Sequence, residues 1–101
     1  SMSEPEQPRR VDLVKIEIKE IEEFLNTPGW LRYKEMIEAV LRARREELFN
    51  LPLLSVDDAF RMAERRANIA GVQFAFSQLK FRLAELYAEL DQIKQMEQFD
   101  E

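Results

Sequence analysis

Between Ala59 and Gln98 apolar residues return at alternating steps of three and four. Met62 starts the row, and Ile69, Val72, Phe76, Leu79, Leu83, Leu86, Leu90 and Ile93 continue it. That spacing holds one stripe on one side of a helix, at the coiled-coil period. No Gly or Pro follows Gly71 in the run, so the pattern predicts a single third helix over 56–98. At about 1.5 Å per residue it would be about 60 Å long, beyond the usual globular length. Other chain segments have to cover it.

The same stretch carries a second row: Phe60, Ala63, Ala67, Ala70, Phe74, Ser77, Phe81, Ala84 and Ala88. At about 100° per residue this row lies well round the cylinder from the first. One partner helix covers a narrow seam, whereas two rows need two or more neighbours. The remaining polar side (Gln78, Arg82, Glu85, Glu89, Gln92) is narrow. Ile69, Val72, Phe74, Phe76, Leu79, Phe81, Leu83, Leu86, Leu90 and Ile93 are therefore the candidate self-association residues.

With 101 residues, one domain is expected. Apolar residues make up 46% and charged residues 35%, a helix-rich composition unlike that of a disordered chain. No apolar run is long enough to span a bilayer, and the polar, acidic start does not read as a secretory signal. Cys is absent, so there is no disulfide framework. A net charge of −5 argues against a general nucleic-acid binder.

Taken in order, residues 1–8 have two prolines and no apolar face, and are expected to be a disordered lead-in. Val11, Val14, Ile18, Ile21 and Leu25 then step by three and four, with Ile16 and Phe24 widening the face. They predict a first helix over about 10–26. Pro28 excludes Thr27 from the helical region and is itself suited to a first helical position. The segment Asn26–Gly29 should therefore end one helix and begin another, with Thr27 as cap. The second helix is expected over 28–49, with Trp30, Tyr33, Ile37, Val40 and Leu48 inward and Arg44 in the same row. Ser55 followed by Asp58 predicts a capping box for the third helix. Leu51, Leu53 and Leu54 are expected to close the end of the core, and 99–101 to form a tail.

A short connection over 50–55 sets the second helix antiparallel to the third. The first helix either continues along the third or folds back as another member. The expected fold is thus all-α: a long helical hairpin or coiled-coil-like bundle, its first arm broken at Asn26–Gly29, and oligomeric.

Few residues are suited to chemistry. Without His or Cys the chain lacks the usual acid–base group, thiol nucleophile and zinc ligands. Two isolated glycines cannot build a phosphate loop. Glu20, Glu22 and Glu23 read as a solvated helix face, and Asp57 and Asp58 as first-turn acids. No catalytic residue, cofactor or metal is expected. Arg42, Arg44 and Arg45 end the second helix, and Arg61, Arg65 and Arg66 begin the third. Antiparallel packing would gather them beside the turn, where Arg42, Arg45, Arg61, Arg65 and Arg66 could contact phosphate or a partner. Pairing with Glu46, Glu47, Asp57, Asp58 and Glu64 is the blander alternative. Arg44 or Arg65 could also form a buried, register-setting pair. Trp30, Tyr33, Phe74, Phe81 and Tyr87 are candidates for an exposed partner patch as well as for the core.

The segment Leu25-Asn26-Thr27-Pro28-Gly29-Trp30 and the later Ile69-Ala70-Gly71-Val72-Gln73 carry a likeness. Their order of helix, break, charged helix and long helix resembles small helical proteins of tailed bacteriophages encoded among virion-assembly genes. The resemblance spans most of residues 10–95 and brings no catalytic or ligand residues. It implies an accessory or morphogenesis protein made in the bacterial cytoplasm and incorporated in the virion. The expected function is a non-enzymatic assembly or adaptor protein, a homo-oligomer that docks to a larger protein. Two alternatives are a nucleic-acid-binding hairpin with an Arg-rich tip and a phage-made inhibitor of a host protein.

Overall fold

The computed structural model describes residues 7–99. Among them are four helices and no strand: α1 (Arg10–Leu25), α2 (Pro28–Phe49), α3 (Val56–Phe76) and α4 (Gln78–Phe99). The fold is all-α, as the periodicity predicts. Of the expected lead-in and tail, residues 1–6 and 100–101 lie outside the described residues, while Phe99 ends α4.

The first break forms as expected. Asn26 closes α1 by donating its backbone N–H to the Glu23 carbonyl at 3.2 Å and its side-chain amide to Glu22 at 2.9 Å. Thr27 is extended (φ −73°, ψ 146°) because Pro28 follows it, and its hydroxyl accepts the Trp30 N–H at 3.3 Å. Ser55 caps α3 by accepting the Asp58 N–H at 3.2 Å, and the Asp58 carboxylate accepts from Leu54 N–H at 3.0 Å. This is a capping box shifted by one donor. Leu53 and Leu54 do not close the core. Both are exposed, Leu54 at 91%, and the Leu54 N–H is committed to the cap.

One expectation is corrected. The stretch 56–98 is two helices, divided at Ser77. The Ser77 N–H is shared between the Gln73 and Phe74 carbonyls, at 3.0 and 3.2 Å, and the Gln78 side-chain amide also donates to Phe74 at 3.0 Å. A side chain thus occupies the carbonyl that the next turn's N–H would use, which weakens the ladder there.

The chain divides into two compact units where a single one is expected: α1 with α4, and Thr27–Gln78 with α2 and α3. In the first unit Val11, Val14, Ile18, Leu86 and Leu90 are buried together, and Ile21, Leu83 and Ile93 pack against them. Arg10 pairs with Glu89 through bonds of 2.6 and 2.9 Å, and Glu17 with Arg82 at 2.5 and 2.9 Å. Seven residues forward on α1 (10 to 17) match seven backward on α4 (89 to 82), so the two helices are antiparallel. The charges swap sign between these pairs. A slip of one heptad either way sets Arg10 against Arg82 or Glu17 against Glu89, which penalises the wrong registers.

In the second unit α2 and α3 are the two arms of a helical hairpin. Leu41 and Ile69 are buried, and the Trp30 ring stacks on Phe76 at 5.0 Å with Tyr33 6.1 Å from the same ring. The inward row of α2 is Trp30, Ile37, Leu41 and Leu48, with Arg44 in line with it but exposed. Tyr33 and Val40, expected in that row, are exposed, and Leu41 takes the place of Val40.

Candidate interaction surface

The first apolar row of the third segment is spent inside the chain. Ile69, Leu86 and Leu90 are buried, while Val72, Phe76, Leu79, Leu83 and Ile93 are half-buried. Each of α3 and α4 turns this row toward its own partner, α2 or α1. Phe74 and Phe81, from the candidate self-association set, are open at 66% and 55% exposure.

They belong to the second row, and the whole of that row is uncovered apart from half-buried Ser77. On α3 it comprises Phe60, Ala63, Ala67, Ala70 and Phe74, and on α4 Phe81, Ala84 and Ala88. At about 100° per residue the α3 row lies roughly 140° from the Met62–Ile69–Phe76 side. The α4 row likewise stands nearly opposite Leu86 and Leu90. Each helix therefore has apolar contact on one side and an unmatched apolar face on the other. Tyr33, Met36 and Val40 form a further exposed apolar row on α2, and Leu13, Ile16 and Phe24 are exposed on α1. Large contiguous apolar patches are uncommon on the surfaces of monomeric proteins.

The polar residues at α1 and α4 have a different role from the one their spacing suggests. Arg82 and Glu89 are not on a free polar side but clasp α1. The Arg82 guanidinium holds the Glu17 carboxyl below its ordinary range, and Arg10 does the same to Glu89. Arg82 also bonds Glu85 at 3.2 Å and is itself held more firmly protonated. Tyr87 donates its hydroxyl to Glu22, which raises the phenol above its usual 10. These groups are partly exposed, so the clasp orients α1 more than it stabilises it. The sequence did contain the signal: Arg followed seven residues later by Glu on both helices, an order that pairs opposite charges when the helices run antiparallel.

The clasp has an acid limit. Both carboxyls titrate lower when folded than the ordinary 4.5. Their contribution is complete above that value and lost as pH falls through the lowered folded values. The melting temperature of the wild-type chain should therefore fall below about pH 4.5 more than that of the Glu17→Gln, Glu89→Gln variant. The check is a thermal melt of both proteins across pH 3–7.

The arginines gather only in part. Arg44, Arg61 and Arg65 line an open groove of about 610 Å³ between α2 and α3, together with Glu47, Glu64, Asn68 and Ile69. Arg65 pairs with Glu47 at 3.4 Å, and Arg44 donates to the Asn68 side-chain oxygen. The expected buried pair is not formed, since the Arg65 and Glu47 side chains are 50% and 64% exposed. Arg42, Arg45 and Arg66 are exposed and do not line the groove. Two carboxylates among three guanidiniums leave one positive charge in excess.

Among the described residues no cluster of three or more His, Cys, Asp or Glu is placed to hold a metal ion, and no helix is long and apolar enough to cross a membrane. No family model, curated protein or solved structure matches this chain.

Proposed function

We propose that the protein is a non-enzymatic helical assembly or adaptor factor that works by self-association and by docking to a larger protein. The observation that supports this most is the Phe and Ala face on α3 and on α4, opposite the side that packs on the chain's own helices. Water against such faces is unfavourable, and covering them drives association. A hairpin whose buried apolar residues are Leu41 and Ile69 has much to gain from a further layer. The likeness to phage accessory and morphogenesis proteins agrees with this role and suggests action in the bacterial cytoplasm and on the virion.

The groove of Arg44, Arg61 and Arg65 favours nucleic-acid phosphate less. Its lining is nearly charge-balanced, and the chain as a whole is acidic. Sedimentation equilibrium tests the assembly reading. A mass of at least twice 12.0 kDa at micromolar concentration is the expected result, and a monomer throughout that range would remove it.

A further inference from the structure

We infer that the occupant of the α3 face is the α3 of a second copy, running antiparallel about a two-fold axis. This rests on the self-association reading above and adds its geometry. Size complementarity favours the arrangement. Antiparallel helices pair the two alternating positions of a heptad row with each other. Placing Ala67 beside Ala70 of the second copy then sets Phe60 against Ser77, and Ala63 against Phe74, with the same contacts repeated by symmetry. Every ring meets a small residue. A parallel pair would stack Phe on Phe and Ala on Ala, crowding some layers and leaving gaps at others.

The flanking charges select the same register. Arg66 comes within two residues of the level of Gln73 of the second copy, and Glu64 within two of Gly71, so neither faces a like charge. In the neighbouring register, one heptad away, Arg66 would face its own copy.

The area agrees with a weak dimer. Phe60 and Phe74 are 70% and 66% exposed. At about 200 Å² per aromatic side chain, the four rings would bury roughly 500 Å². The alanines and flanking stems bring the total to about 1000 Å², at the lower edge of specific interfaces. Dissociation in the micromolar range is expected.

The chain has no cysteine, so a spin label on Asp57→Cys, an exposed position, reports the geometry in the full-length protein. The antiparallel register puts the two labels roughly 35 Å apart along the axis at about 1.5 Å per residue. A parallel pair would bring them within about 20 Å, given a helix spacing of about 10 Å. A distribution near 35 Å supports the inference. A short distance overturns it while leaving self-association standing, and a monomeric mass with no intermolecular signal overturns both. Ala67→Glu is the second arm. Ala67 is exposed in its own chain, so the change should weaken association at least tenfold without lowering the melting temperature of the dilute chain, and unchanged association would contradict the Ala67–Ala70 pairing.

Discussion

Leu86→Ala should cost about 2–5 kcal/mol, the range for removing a buried leucine and leaving a cavity. Leu86 has no exposed surface and sits among Val14, Ile18 and Leu90, so no nearby surface can collapse into the space. Against a total stability of about 5–15 kcal/mol for a domain, this is a large fraction. The loss should be confined at first to α1 and α4. The single tryptophan, Trp30, stacks on Phe76 within the α2–α3 hairpin and reports that hairpin separately. Denaturation followed by far-UV circular dichroism should show a lowered midpoint, with the early change absent from Trp30 fluorescence. Leu54→Ala, at a position 91% exposed, should change stability by less than about 0.5 kcal/mol. If Leu86→Ala were as mild, the assignment of the α1–α4 core would be wrong.

Phe74→Glu and Phe81→Glu should each weaken assembly by about 30-fold or more, the equivalent of a 2 kcal/mol anchor residue. A carboxylate in either place would be buried without a partner once the face is covered. The monomer should tolerate both changes, because each ring keeps more than half its surface in water. Phe49→Glu is the matched control, being 90% exposed and off the α3 and α4 rows. Arg82→Glu does not serve as a control. It would gather a third carboxylate beside Glu17 and Glu85, and so loosen α1 from α4. Sedimentation velocity of the variants at matched concentration separates these outcomes, and equal oligomer content in Phe74→Glu and Phe49→Glu would count against the interface.

Much of the fold can be read from short-range chemistry. Pro28 with Thr27 before it, and Ser55 with Asp58 after it, mark helix starts through steric and hydrogen-bonding rules that need no tertiary context. The two apolar rows are legible because a helix's period converts spacing directly into facing. The division at Ser77 is not legible in the same way. No Gly or Pro marks it, and the cause is a side-chain amide, that of Gln78, reaching back to the Phe74 carbonyl. Leu41 was hidden beside Val40, because both are apolar and a one-residue error rotates the row by about 100°. The clasp residues Arg82 and Glu89 read as solvated because a charged residue flanking a seam looks the same as one facing water until its partner helix is placed. Arg44 and Arg65 occupy inward positions, yet long side chains let their charged ends reach the open groove.

Hydroxyl-radical footprinting as a function of protein concentration tests the central claim most directly, because it reads the rings themselves. Phe60, Phe74 and Phe81 should lose reactivity as the concentration rises through the micromolar range, while Phe49 and Phe99 stay reactive. Uniform reactivity of all five rings at every concentration would contradict the account.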